Sequence, residues 1–137
     1  MTISQNDHDQ RINRALNILE DEDSTVYEWQ VAVRNINEAK GWFDSDRTFG
    51  DDMALLHSEV SEAFEAFRKH GTEDVTLSDG NSGGFTPKPE GVGSELADVL
   101  VRLLDTCERY NIDLEEEFKR KIRYNATRPY RHGNKRV

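Results

Sequence analysis

Apolar side chains recur every three or four residues along most of this chain, whereas strand-like alternation is nearly absent. This spacing predicts an all-α fold: a bundle of about four main helices, preceded by a shorter one. The helices are expected, in chain order, over about 9–20, 25–40, 51–70 and 94–110, with a last helix that starts after Asn111 or Asp113 and ends before Pro129.

Capping residues mark several of the predicted helix ends. Thr25 and Glu28 form a capping box, and Ser94 is a good N-cap for the helix that follows it. Gly41 and Gly71 are expected where helices stop, because glycine adopts the left-handed conformation common after a last turn. Residues 42–52 are expected to form a connector.

Two polar segments are expected to lie outside the bundle, which we interpret as a single domain over residues 1–137. Residues 1–8 have no apolar pattern and are expected to be disordered. Residues 72–93 are rich in Gly, Ser, Asp and Pro, which predicts a long loop with a brief hairpin around Asp79–Gly80. A functional lid and plain disorder are both compatible with that loop.

Composition favours an oligomer and excludes several classes of site. Hydrophobic residues make up 35% and charged residues 33% of the 137 residues, so a compact monomer would have a small core. The net charge of −9 argues against binding to nucleic acid or to anionic membranes. Cys107 is the single cysteine, which excludes an intramolecular disulfide and a cysteine zinc site. No apolar run suggests a signal peptide or a membrane span, so a cytoplasmic location is expected.

An acidic residue interrupts the apolar side of the predicted helix over 51–70. On a helical wheel Glu59 falls inside an apolar arc that includes Val60, Phe64 and Phe67, and Glu62 falls at its border. A carboxylate in an apolar interface loses its hydration and therefore needs a cation, a hydrogen-bond donor or a proton.

The second long helix repeats this acidic spacing with Glu95 and Asp98. Residues three apart share a helix face, so two such helices, packed antiparallel, would bring Glu59, Glu62, Glu95 and Asp98 together. Four carboxylates without histidine or cysteine suit a hard cation, Mg²⁺ before Mn²⁺. With 27 acidic residues in the chain, however, such pairs also arise by chance, and salt-bridged surface helices remain the alternative. A di-iron bundle is disfavoured because no histidine follows a glutamate by three residues.

The C-terminal segment is basic and offers candidate phosphate ligands. Lys121, Asn125 and Arg128 follow one another at helical spacing and would share a face. Cations near a helix C-terminus also complement the helix dipole, which is the ordinary explanation for such a segment. Three aromatic residues are candidates for stacking on a base, although core packing would equally explain them: Trp29, Trp42 and Phe85.

These motifs resemble the MazG-like, all-α nucleoside triphosphate pyrophosphohydrolases. The resemblance rests on Glu59-x-x-Glu62 followed by Glu95-x-x-Asp98 within ELADVLVRLLD, on YEWQ and KGW before them, and on the terminal K-x-x-x-N-x-x-R; it covers roughly residues 26–131. It implies a bundle that forms homodimers or homotetramers and holds Mg²⁺ with the four acidic residues. It also implies cleavage of a (deoxy)nucleoside triphosphate between the α and β phosphates.

Metal-assisted hydrolysis agrees with both the residues and the resemblance. In this mechanism Glu59 or Glu62 activates the attacking water, and Lys121, Asn125 and Arg128 bind the phosphates. The alternative is a non-catalytic helical dimer, a binding or regulatory module, in which the acidic residues form salt bridges to Arg68, Arg102 or the basic tail. The sequence leaves the preferred base and sugar open.

Overall fold

The computed structural model describes residues 5–73, 75–77 and 87–129, and over these ranges it is almost entirely helical. Its elements are α1 (Gln5–Glu20), α2 (Val26–Ala39), α3 (Phe49–His70), β1 (Val75–Leu77), β2 (Lys88–Glu90), α4 (Val92–Arg109) and α5 (Leu114–Ala126). The predicted all-α class is confirmed. Among the described helices, none has the length and apolar character needed to cross a membrane.

The helices pack in pairs around a small core. The most extensive packing is between α3 and α4, and α2 lies between α1 and α4. The buried apolar residues are mostly small: Ala15, Ala32, Val33, Ala63, Leu104 and Cys107. Within the described residues α5 buries none of its side chains, and its main contacts are with α2. Many large apolar side chains are therefore left at the surface of the single chain.

The helix ends are fixed by local hydrogen bonds, not all of which were predicted. The Thr25–Glu28 capping box is present, and Gly71 caps α3 with its N–H donating to the Phe67 carbonyl at 2.8 Å. The predicted connector over 42–52 was too long, because a second capping box starts α3 at Phe49. In it the Thr48 N–H donates to Asp51 Oδ2 at 2.8 Å and the Asp51 N–H donates to Thr48 Oγ1 at 3.2 Å.

Two predicted boundaries near other helix starts were wrong. Ser94 is not an N-cap, since α4 begins at Val92 after Gly91, whose φ of 100° is accessible mainly to glycine. The Ser94 hydroxyl instead donates to the Pro89 carbonyl at 3.1 Å, which ties α4 to the end of β2. The disorder predicted for 1–8 was wrong from residue 5 onward, because α1 already begins at Gln5 and packs on α2; residues 1–4 lie outside the described ranges.

A short antiparallel ladder lies within the predicted loop over 72–93. Val75 pairs with Glu90 and Leu77 pairs with Lys88, so the chain returns directly to the start of α4. The predicted turn at Asp79–Gly80 lies outside the described residues. The ladder matters for the site because β2 leads into the first turn of α4, where Glu95 is located.

Candidate metal centre

Glu59 lies in the interface between α3 and α4 and is 9% exposed. Its position follows from the helical period, because Ala63, one turn later on the same side of α3, is also buried. The small side chain of Ala63 allows close packing of the two helices beside the carboxylate. The sequence-based placement of Glu59 on the core side of this helix is confirmed.

Two acidic residues of α4 meet Glu59 across this interface. One carboxylate oxygen from each of Glu59, Glu95 and Asp98 lies within 4.8 Å of the others. Exposure increases through the three residues, from buried Glu59 through partly exposed Glu95 to exposed Asp98. Glu62, the fourth predicted ligand, is exposed and is not part of this group. The structure thus brings together three of the four predicted acids.

The acidic cluster, defined as Glu59, Glu95 and Asp98, favours protons or cations. Burial raises the pKa of Glu95, and the charges of Glu62, Asp98 and Glu59 raise it further. Burial also raises the pKa of Asp98, with Glu59 adding to the effect and Arg102 opposing it. Both shifts have the same cause, since negative charges are crowded at a partly desolvated place.

Arg102 is the cationic side chain that contacts the cluster. It follows Asp98 by one turn of α4, and its Nε donates to Glu59 Oε1 at 2.9 Å. Of the cations proposed from the sequence as salt-bridge partners, Arg102 therefore does pair with Glu59. Lys88 also favours the charged forms of Glu95 and Asp98, although its ion pair is with Glu90. Three carboxylates nevertheless face one contacting guanidinium, so the Glu59–Arg102 pair alone does not neutralise the cluster.

The donor set fits a hard divalent cation. Its three oxygen donors come from two helices that pack directly on each other, so they can bind one ion without unfolding either helix. Mg²⁺ and Mn²⁺ prefer such carboxylate oxygens and complete their coordination with water or phosphate oxygens.

Two cavities border the cluster. One has a volume of about 290 Å³ and is lined by Glu62, Glu65, Ala66, Lys69, His70, Glu90, Gly91 and Glu95. The other has a volume of about 360 Å³ and is lined by Gly41, Trp42, Ser45, Arg47, Leu55 and Arg102. We call the second one the Trp42 cavity. Arg102 lines the Trp42 cavity and contacts Glu59 of the cluster, whereas Glu95 itself lines the first cavity.

The predicted substrate-binding residues are not assembled around the cluster in the single chain. Lys121 and Asn125 lie on α5 and Arg128 just beyond it, all exposed. Among the described residues, none of these three side chains forms a hydrogen bond or ion pair with the acidic residues. Their proposed contact with phosphate therefore stays a prediction.

The two tryptophans occupy different environments. Trp29 Nε1 donates to Ser24 Oγ at 2.6 Å, so this indole secures the turn before α2 and is not aimed at the cluster. Trp42 is 57% exposed and lines the same cavity as Arg102, so the base of a nucleotide could reach its indole ring. Phe85, the third aromatic candidate, lies outside the described residues.

Arg47 was not predicted to lie near the site, and Arg102 was predicted only as a possible salt-bridge partner. Arg102 follows Asp98 by one turn on the same helix face, and this spacing could have placed it near the acidic cluster. Arg47 gave no such signal, because it precedes α3 in a connector whose path depends on tertiary contacts. Comparison of the chain with models of protein families, with curated proteins and with solved structures found no match.

Proposed function

We propose that this protein is a Mg²⁺-dependent nucleoside triphosphate pyrophosphohydrolase of the MazG-like kind, cleaving a (d)NTP between its α and β phosphates. The observation that supports this proposal most directly is the meeting of Glu59, Glu95 and Asp98 across the α3–α4 interface, where three carboxylates face the single contacting guanidinium of Arg102. The tandem acidic motif in the sequence also supports it, because the resemblance to the MazG-like enzymes rests on these residues together with Glu62.

Glu59, Glu95 and Asp98 would hold the cation. Bound Mg²⁺, or Mn²⁺ in its place, offsets the charge of a triphosphate and makes a coordinated water more acidic. Glu62 is our candidate for the general base: it is exposed and lies outside the cluster, yet its charge is near enough to raise the pKa of Glu95. Its carboxylate would accept the proton of the attacking water, whose oxygen forms the new bond to the α phosphorus while the bond from that phosphorus to the bridging oxygen breaks. Pyrophosphate leaves with the bridging oxygen.

A homo-oligomer is part of the proposal. Large apolar side chains are exposed on the neighbouring helices α3 and α4, among them Val60, Phe64, Phe67, Leu96 and Leu100. Exposed apolar surface of this extent is typical of subunit interfaces. We assign the phosphate-binding role of Lys121, Asn125 and Arg128 to the homodimer or homotetramer, since α5 makes few contacts within its own chain.

A panel of nucleotides tests the activity. The protein is incubated with each ribo- and deoxyribonucleoside triphosphate in Mg²⁺, in Mn²⁺ and in EDTA, and monophosphate and pyrophosphate are quantified. We expect metal-dependent release of both products, lost in Glu59→Gln and kept in the control Glu117→Gln, which alters an exposed ion pair of α5. Absence of turnover for every nucleotide would refute the proposal.

One observation favours a second candidate, a non-catalytic helical module. The Glu59–Arg102 ion pair gives Glu59 a partner within the protein, as expected for a structural salt bridge. This candidate predicts that Mg²⁺ neither binds to the cluster nor changes the thermal stability of the protein. Calorimetric titration with MgCl₂ therefore separates the two candidates even before a substrate is known.

A further inference from the structure

Arg102 links the acidic cluster to the Trp42 cavity. Its Nε donates to Glu59, whereas its two terminal nitrogens have no hydrogen-bond partner among the described residues. The side chain is 31% exposed and forms part of the cavity wall. A guanidinium whose terminal nitrogens are available presents paired donors that match the oxygens of a phosphate.

The second arginine of this cavity is differently placed. Arg47 forms ion pairs with Asp105 at 2.9 Å and with Asp52 at 3.3 Å, and both of these aspartates are buried. Its charge is therefore committed to holding the connector before α3 against α4. Arg102 differs because its partner, Glu59, belongs to the donor set of the candidate cation site.

A cation at Glu59 would compete directly with Arg102. Both need the same carboxylate, and a divalent ion interacts more strongly with it than a single guanidinium does. Without a cation the cluster is net negative and repels polyphosphate. With a cation at Glu59, the guanidinium of Arg102 would lose its carboxylate partner and could pair with an anion. From this competition the cation would bind first and the anion second.

We propose that Arg102 binds a phosphate group in the Trp42 cavity once a divalent cation has replaced its guanidinium as the partner of Glu59. The ligand class is a polyphosphate, either the triphosphate of a nucleotide or free pyrophosphate. The assignment rests on the proposed function for its substrate, but it concerns binding and can be measured without turnover.

Calorimetric titrations of Arg102→Met with MgCl₂, and then with pyrophosphate in saturating Mg²⁺, test this assignment. Removing the competing cation should tighten Mg²⁺ binding about threefold or more. Removing the phosphate donor should weaken pyrophosphate binding about tenfold. The matched control is Arg14→Met, which removes an exposed arginine of α1 and should change neither the Mg²⁺ affinity nor the pyrophosphate affinity.

Shifts in opposite directions are specific to the proposal. Weakening of both ligands would indicate a structural role, and tighter Mg²⁺ with unchanged pyrophosphate would indicate an ion pair only; either result would overturn the assignment. If Arg102→Met does not fold, as judged by circular dichroism, Arg102→Lys decides. That variant keeps the charge but not the paired donors, so Mg²⁺ affinity should hold while pyrophosphate affinity falls several-fold; unchanged pyrophosphate affinity would overturn the assignment.

The outcomes also separate this assignment from the proposed activity. Opposite shifts of the Mg²⁺ and pyrophosphate affinities without turnover of any nucleotide would refute the hydrolase activity and support Arg102 as an anion-binding residue. Turnover without these opposite shifts would support the hydrolase activity and refute the phosphate-binding role of Arg102. The tryptophan fluorescence of Trp29→Phe, in which Trp42 is the remaining tryptophan, should respond to pyrophosphate only when Mg²⁺ is present.

Discussion

Arg47 and Asp105 form an ion pair of 2.9 Å between the connector that precedes α3 and the buried side of α4. Asp105 also accepts a hydrogen bond from Asn37 Nδ2 of α2 at 2.6 Å, so a single carboxylate joins three parts of the chain. Asp105 and Asn37 are at most 5% exposed. This polar contact fixes the connector, and with it the position of Trp42 in the cavity that Arg102 also lines.

Asp105→Ala should therefore destabilise the protein strongly. The substitution leaves the Asn37 amide without its partner and removes one of the two buried carboxylates that pair with Arg47, and loss of one member of a buried pair costs about 3 kcal/mol. Urea denaturation followed by circular dichroism measures the change. Glu117→Ala, which breaks an exposed pair with Arg120, is the matched control and should have little effect. Equal stability of the two variants would show that the buried contact contributes nothing.

Glu95→Gln should make the protein more stable in EDTA but insensitive to Mg²⁺. Burial and neighbouring acids raise the pKa of Glu95, which means that the folded protein disfavours its charged form. A neutral amide of the same shape removes this repulsion, so we expect the melting temperature in EDTA to rise by about 2 °C. The parent should be stabilised by Mg²⁺ and the variant should not. Thermal denaturation with and without Mg²⁺ checks both expectations, and a lower melting temperature of Glu95→Gln in EDTA would contradict the first.

The stability difference between the parent and Glu95→Gln should depend on pH in a defined direction. A carboxyl group whose pKa is raised in the folded state stabilises the fold below its unfolded pKa, and this contribution is lost as pH rises through the raised value. For Glu95 the difference should be small below its ordinary pKa of 4.5 and should then grow in favour of the variant. Urea denaturation in EDTA from pH 4 upward, at about half-unit steps, measures it. A difference that shrinks with rising pH would mean that Glu95 has a favourable partner in the folded protein.

The helices were largely predictable because their signals are local. The 3.6-residue period and the Thr25–Glu28 capping box both lie within single helices and specify them directly. The start of α3 was misplaced although Thr48 and Asp51 carry the same type of signal. Contacts such as Arg47 with Asp105 were not predictable, since they join residues far apart in sequence whose proximity depends on the complete fold.

The candidate site was predictable to a similar extent. Equal spacing placed Glu95 and Asp98 opposite Glu59, but only the packing of α3 on α4 separates Glu59, in the interface, from Glu62, on the surface. The helical wheel also put Val60, Phe64 and Phe67 in one apolar arc with Glu59. The structure turns Glu59 and Ala63 towards α4 and leaves those three apolar residues exposed. A wheel gives the direction of a side chain but not the partner that covers it.

Phe64→Glu should dissociate the proposed homo-oligomer into monomers. Phe64 is 63% exposed and lies between Val60 and Phe67 on α3; the neighbouring helix α4 also exposes Leu96 and Leu100. A charge at the centre of such a surface would be desolvated on association, which opposes subunit binding by several kcal/mol. Size-exclusion chromatography with light scattering measures the mass, and Phe64→Leu, which keeps the surface apolar, should remain an oligomer.

A second variant shows which surface forms the interface. Phe118 of α5 is 60% exposed and Ile122, one turn later, is 49% exposed, so Phe118→Glu makes an equivalent change on a different helix. If α3 and α4 form the main interface, Phe118→Glu should keep the oligomeric mass that Phe64→Glu loses. The opposite result would place the interface on α5. A monomeric parent protein would remove the oligomer from the proposal, and Lys121, Asn125 and Arg128 would then have no route to the phosphates through a second subunit.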